Sequence, residues 1–215
     1  MQWPTLIVDN FFTDPQAVVK LSETLKYTRA ESGRWPGTRS ALLHKVDKDF
    51  FLWSTQKIMA LLYPMERDTL QWQADQHFQR VPQGTYGEEG WVHSDREYEF
   101  TSIIYLSNHL QSGTCLYEGK HFNLNSKYQE EKEKFYRDLK DKKRMKKYKD
   151  KNNSRFTKKV ELFSNFNRLV LFDGSNWHAF NNSDAGEGDR LTLISFFKNI
   201  KCKNMQPHIA AMRRI

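Results

Sequence analysis

The chain has 215 residues, 14% of them aromatic, and a formal net charge of +8 at neutral pH. This length suits one domain, or one domain with an insertion, and the aromatics can furnish a core, which argues against global disorder. No run approaches the ~18 apolar residues of a membrane span; with no basic-then-apolar leader at Met1–Asp9 and only two cysteines, Cys115 and Cys202, the expectation is a cytoplasmic protein with free thiols.

Thr5–Phe12 is a strand-like apolar run. Thr13-Asp14-Pro15 then reads as a helix start, with the helix continuing to about Thr24–Leu25. Tyr27–Ser40 carries Ser32-Gly33 and Trp35-Pro36-Gly37 and reads as a loop. Asp47–Leu62 has apolar residues at helical spacing, with Pro64 as its stop. The period then changes. Leu70–Pro82, Trp91–Asp95, Thr101–Ser107, Thr114–Tyr117, Leu169–Phe172, Trp177–Asn181 and Leu191–Lys198 read as short strands separated by turn residues. Helices first and antiparallel-type strands later predict an α+β fold with a mainly β core, a sandwich or small barrel backed by N-terminal helices.

The charge is concentrated. Lys127–Lys159 holds fifteen Lys plus Arg and six Asp plus Glu, a net of +9, against −1 for the rest of the chain. The segment lacks Gly and Pro and has acid-before-base pairs at Glu130–Lys134 and Asp138–Lys142. It is expected to be a solvated helical insertion docked through Tyr128, Phe135 and Leu139. A nucleic-acid arm or a lid over a cleft are the functional alternatives.

His93 and Asp95 stand two residues apart in Trp-Val-His-Ser-Asp. In a strand they would share one face. His178, far downstream, would complete two histidines and one carboxylate, the set that holds non-heme Fe(II). Taken alone, the pair is a weak motif and reads more readily as a surface histidine bonded to a nearby aspartate. Cys-x-x-Cys and His/Cys clusters are absent, which argues against structural zinc. His77, His109 and His121 lack a partner at ligand spacing and read as structural or exposed.

Four stretches in order carry a resemblance: His93-Ser-Asp95 through Tyr105-Leu-Ser107; Ser112-Gly-Thr-Cys-Leu-Tyr117; Asn167-Arg168 through Trp177-His178; and Gly188-Asp-Arg190-Leu-Thr192 through Phe197. Together they resemble 2-oxoglutarate-dependent dioxygenases of the prolyl 4-hydroxylase type. The opening Ile7–Pro15 is similar to the start of such single-domain oxygenases. The resemblance implies a double-stranded β-helix, a jelly-roll or cupin-like barrel over residues 70–199. Helical support would come from residues 1–66, and the basic insertion would span about 126–159.

The resemblance further implies His93, Asp95 and His178 as iron ligands. Arg190, twelve residues after His178, would pair with the far carboxylate of 2-oxoglutarate. Thr192 shares its face, and Tyr105 is a candidate cosubstrate contact from a neighbouring strand. The implied cofactors are Fe(II), 2-oxoglutarate and O2, with ascorbate as a candidate accessory. The implied reaction hydroxylates a C–H bond of a peptide or small molecule while 2-oxoglutarate becomes succinate. Two departures stand out. Val81 aligns where the family places a cosubstrate tyrosine, leaving Tyr86 or Arg80 to compensate, and Ser107 replaces an asparagine. Asn167 and Arg168 read as turn and scaffold residues. Two other classes remain open: a nucleic-acid-directed oxidative demethylase using Lys127–Lys159, and a non-catalytic jelly-roll binding module.

Overall fold

The computed structural model describes residues 3–31, 33–64, 69–119, 126–137, 141–182 and 186–202. In chain order the elements are β1 (Leu6–Val8), α1 (Pro15–Glu23), β2 (Tyr27–Arg29), β3 (Thr38–Ser40), α2 (Leu43–Val46), α3 (Lys48–Leu62), β4 (Gln71–Val81), β5 (Phe100–Tyr105), β6 (Gly113–Gly119), α4 (Ser126–Arg137), α5 (Lys142–Asn153), β7 (Phe156–Phe163), β8 (Leu169–Asp173), β9 (Trp177–Asn181) and β10 (Arg190–Lys201). Both long N-terminal helices begin on a side-chain cap. The Asp14 carboxylate accepts from the Ala17 amide and the Asp47 carboxylate from the Phe50 amide, each at 3.0 Å. No helix among the described residues is long and apolar enough to cross a membrane.

Seven antiparallel strands form one sheet in the order β1-β8-β5-β10-β4-β3-β2, and three form a second in the order β7-β6-β9. Strand alternation assigns the faces. Ala74 and Phe78 of β4, Phe100 and Ile104 of β5, and Leu193 and Phe197 of β10 pack with Val18, Ile58, Met59 and Leu62 of the helices. A buried polar chain ties α3 to this face: Ser54 donates to Gln76, whose amide nitrogen donates to Ser195 at 2.9 Å. The opposite face carries Ile103, Tyr105, Ile194 and Phe196, which meet Leu116 and Leu162 of the second sheet. The two sheets therefore face each other across an apolar layer that opens into a cleft of about 700 Å³.

Three expectations need correction. The Tyr27–Ser40 segment is not all loop, because β2 and β3 pair in it and extend the sheet beyond β4. Strands of three residues are too short to show a period, whereas the glycine and proline residues between them give a plain turn signal. Trp91–Asp95 is not a strand but an extended segment joined to β9 through a single bridge, His93↔His178. The helical part of the basic insertion ends at Asn153, and its tail belongs to β7. Lys158 and Lys159 are both exposed on that strand, which has no second neighbour among the described strands, so charge there marks a sheet edge rather than a helix surface. His121 and the Asp138 and Leu139 positions lie outside the described residues.

Asn167 and Arg168 act as scaffold, as expected. Asn167 holds φ at +63° and accepts from the Phe12 amide while donating to the Phe12 carbonyl, both at 2.8 Å. Arg168 grips Asp9 through two nitrogens. These contacts fasten the N-terminal segment to the turn before β8. Asn167→Ala should cost about 2–4 kcal/mol in urea unfolding, from lost hydrogen bonds and left-handed backbone. Asn167→Gly should recover about 1 kcal/mol of that, because only the backbone cost is relieved. Equal stability of the alanine variant and the wild type would contradict this account.

Candidate metal centre

The centre is assembled by one backbone pair. The His93 amide donates to the His178 carbonyl at 2.9 Å, and the His178 amide donates to the His93 carbonyl at 2.7 Å. Two residues 85 positions apart in sequence are thereby placed side by side, with ring centroids 4.4 Å apart. Asp95 is held by its own amide, which donates to the Gly174 carbonyl at 2.7 Å. A Cβ at Gly174 would collide with the carbonyl oxygens of Tyr98 and Asp95, so only glycine permits this approach.

The side chains converge. His93 Nε2 lies 3.7 Å from Asp95 Oδ1, and His178 Nε2 lies 3.3 Å from Asp95 Oδ2. One ligand atom from each of the three residues can be chosen within 4.8 Å of the others, a group that could hold a metal ion. The two distances to Asp95 are close to the spacing of about 3 Å expected for ligand atoms that each lie about 2.1 Å from one ion. Each histidine has its Nδ1 at 2.9 Å from the carbonyl two residues before it, Trp91 for His93 and Asn176 for His178. Nδ1–H donation to these carbonyls leaves both Nε2 lone pairs free to face the common point. Thr101 Oγ1 donates to Asp95 Oδ2 at 2.9 Å and orients the carboxylate.

The electrostatics favour the ligand protonation states. Burial holds His93 well below the ordinary histidine range, and the charge of Lys132 and the neighbouring His178 push the same way. Burial alone would raise Asp95, but His178, His93 and Lys132 outweigh it and hold the carboxyl below its usual range. A neutral imidazole beside an ionised carboxylate is what metal coordination requires.

Arg190, Thr192 and Tyr105 gather along one inner wall. Thr192 is paired in register with Tyr105, and the Arg190 guanidinium sits 5.3 Å from the Tyr105 ring centre. Arg190 is 5% exposed and its Nε has no hydrogen-bond partner; the Thr192 hydroxyl, fully buried, has none either. The Tyr105 hydroxyl is paired with Thr114 at 2.9 Å. Val81 pairs with Arg190 across the ladder and is buried. Neither expected substitute for a tyrosine there reaches this wall. The Tyr86 hydroxyl accepts from the Gly37 amide, and Arg80 lies over the Tyr27 ring. His77 bonds the Ser40 carbonyl and lines the cleft, whereas His109 is a buried structural histidine between Ser107 and Gly188.

The basic insertion supplies groups that sequence patterning did not reveal. Tyr128 and Asn152 both donate to the Val92 carbonyl, at 2.9 and 3.0 Å. Asn153 accepts from the Val92 amide and donates to the Gly90 carbonyl. Tyr128, Phe135, Tyr136 and Met145 pack with Trp91 and Trp177. The charge-rich hairpin thus clamps the segment that carries His93. The only advance signal was the thin stripe of Tyr128 and Phe135.

A family model described as a family of unknown function, DUF6445, matches residues 1–197, and the chain belongs to that family. No curated protein matches the sequence significantly. Among solved structures, the chain is similar to HygX from Streptomyces hygroscopicus with nickel and 2-oxoglutarate bound, with a TM-score of 0.57 and 12% identity over 90% of this chain and 81% of that one. It is also similar to the non-heme alpha ketoglutarate dependent epimerase SnoN from nogalamycin biosynthesis, with a TM-score of 0.54 and 11% identity over 90% and 77%. A third is an oxidoreductase of the 2OG-Fe(II) oxygenase family from Burkholderia pseudomallei, with a TM-score of 0.54 and 10% identity over 93% and 88%. At these identities the likeness is one of fold.

Two outcomes follow from the surroundings of the centre. Burial, helped by the charge of Arg39, pushes His77 down to about 4. The unfolded chain therefore takes up a proton below pH ~6.5 that the folded chain refuses, so stability falls as pH drops and levels off below about 4. His77→Gln should remove up to about 3 kcal/mol of that pH-dependent loss in denaturant melts across this window. Asn153→Ala should cost about 1–3 kcal/mol and speed amide exchange at Val92; unchanged protection there would contradict the clamp.

Proposed function

We propose that this member of a family of unknown function is an Fe(II)- and 2-oxoglutarate-dependent oxygenase acting on a C–H bond of a small organic molecule. The observation that carries the reading is the pairing of two features in one cleft. His93, Asp95 and His178 present a preassembled two-histidine, one-carboxylate face, and Arg190 lies along the inner wall as a buried cation without a carboxylate partner among the described residues. The fold shared with iron and 2-oxoglutarate proteins supports it. The antiparallel order β8-β5-β10-β4 facing β7-β6-β9, with the His93 segment bridged to β9, supports a double-stranded β-helix.

The residues present fit the cofactors. His93, Asp95 and His178 would hold the iron from one side, and the cleft would leave room for the 2-oxo acid and O2. Arg190 Nε and the Thr192 hydroxyl, both orphaned and on one face of β10, suit the far carboxylate of 2-oxoglutarate. Tyr105, whose hydroxyl pKa is raised by burial, packs beside that cation. When bound, iron, 2-oxoglutarate and O2 supply an oxidation in which the 2-oxo acid is decarboxylated to succinate. The chain's own contribution is to orient the two imidazoles through their Nδ1 carbonyl bonds, fix the Asp95 carboxylate through Thr101, and exclude water with Phe172, Ile103 and Ile194.

The motif order supports a prolyl 4-hydroxylase-like arrangement of the iron and cosubstrate residues. The substrate side draws on elements outside those motifs, β3 and α4. A cleft of about 700 Å³ accommodates a drug-sized molecule, and HygX and SnoN have been crystallised with hygromycin B and nogalamycin RO, respectively.

Purified protein with Fe(II) and 2-oxoglutarate should form succinate even without substrate, and His93→Ala should reduce this to background. Arg190→Met should raise the KM for 2-oxoglutarate by about 30-fold or more, the size expected when a charged hydrogen bond is lost, while metal affinity stays within a few-fold. Equal succinate formation by wild type and His93→Ala would sink the reading.

A further inference from the structure

We propose that Arg39 and Lys132 form a binding site for an anionic oxyacid group, a carboxylate or a phosphate, on the primary substrate. The inference rests on the oxygenase reading for the word substrate, but the anion site itself stands on separate residues.

Arg39 lies on β3 and is held as a preorganised fork. Its guanidinium is 4.7 Å from the Trp35 ring centre and 5.3 Å from that of Phe196. Its Nε donates to Gln79 Oε1 at 3.0 Å, and Gln79 is fixed in turn by donating to the Pro36 carbonyl at 2.8 Å. Stacking and this bond leave the two terminal amino groups of Arg39 facing the cleft, without a hydrogen-bond or ion-pair partner among the described residues. A stacked guanidinium with a free edge is the geometry that takes an oxyacid in plane.

Lys132 approaches from α4. Gln129, Lys132, Glu133 and Tyr136 line the cleft at helical spacing, one face of that helix. The half-buried Lys132 ammonium also has no ion-pair partner among the described residues. Burial lowers its pKa, Asp95 works against that, and Arg39 lowers it again, so the two cations oppose each other's charge.

Asp95 acts on both cations from a distance, but no lining carboxylate pairs directly with either among the described residues. Asp75 is engaged by Lys198 and by the Tyr98 hydroxyl, each at 3.2 Å, and Glu133 accepts from Gln129. Asp95 belongs to the metal centre. Glu97 sits exposed at the rim with Arg34 and Arg96, also exposed. The Asp95 charge offsets the two cations only in part and is shared with two histidines, so an arriving anion supplies the direct partner that both lack. The site is distinct from Arg190, which faces β5 and β6 through Tyr105 and the Gly113 carbonyl.

The test uses the full chain, with and without Mn(II) and N-oxalylglycine, titrated with sodium sulfate and sodium acetate while thermal stability and heat of binding are followed. Sulfate stands in for a phosphate group and acetate for a carboxylate. Wild type should show saturable binding of at least one, and whichever binds more tightly identifies the group. Arg39→Gln and Lys132→Gln should each weaken it at least tenfold, while Lys146→Gln, at an exposed ion pair, should not. Stabilisation of the variants by Mn(II) and N-oxalylglycine reports that their metal centre is intact. Saturable binding that survives Arg39→Gln, or none in wild type, overturns the anion site. Loss of the Mn(II) and N-oxalylglycine response in wild type with Arg39-dependent anion binding retained would instead overturn the oxygenase reading alone.

Discussion

A two-residue backbone bridge between His93 and His178 governs the centre. Among the described residues it is the only ladder contact that His93 makes, yet it fixes the spacing of two imidazoles drawn from distant parts of the chain. Everything around it restrains one partner or the other. Strand β6 holds β9 from the far side, Gly174 lets the Asp95 backbone close in, and the Nδ1 bonds fix the rotation of each ring. Distances of 3.3 and 3.7 Å between ligand atoms arise from that backbone arrangement, with little left to side-chain choice.

The basic hairpin shows how composition can obscure role. Its mean character is that of a solvated surface, and several lysines on α5 are indeed exposed. Its inner side, however, buries Tyr128, Phe135, Tyr136 and Met145 and directs two asparagines at the backbone of residues 90–92. One helix face then clamps the His93 segment while another lines the cleft with Lys132. The insertion is therefore part of the walls of the centre, whatever its exposed charge also attracts.

Much of this was legible in sequence, and the limits are physical. Helix starts at Asp14 and Asp47 were readable because a cap is a local interaction over three residues. Long strands such as β4 and β10 were readable because each repeats its pattern several times. The grouping of His93, Asp95 and His178 was readable from spacing and motif order, although the strand assumed for Trp91–Asp95 is only an extended segment. Strands β2 and β3 were too short to display a period. Arg39 and Lys132 carry no local signal at all: one lies in a turn-rich stretch, the other among fifteen similar cations, and only the tertiary fold brings them to one cleft. The clamp by Asn152 and Asn153 has no local signature for the same reason, since only the fold brings their partners at residues 89–92 to them.

The position of β10 has a consequence for how the molecule must come together. It is the last of the described strands, yet it lies between β4 and β5 near the middle of the large sheet. Phe78 of β4 faces Leu193, a partner made 115 residues later. During synthesis the inner edges of β4 and β5 wait open until that strand emerges, while α1 to α3 already cover one apolar face. Such long-range closure is slow and leaves strand edges exposed to wrong partners. The order of synthesis therefore makes the wall that carries Arg190 and Thr192 one of the last parts of the large sheet to be completed.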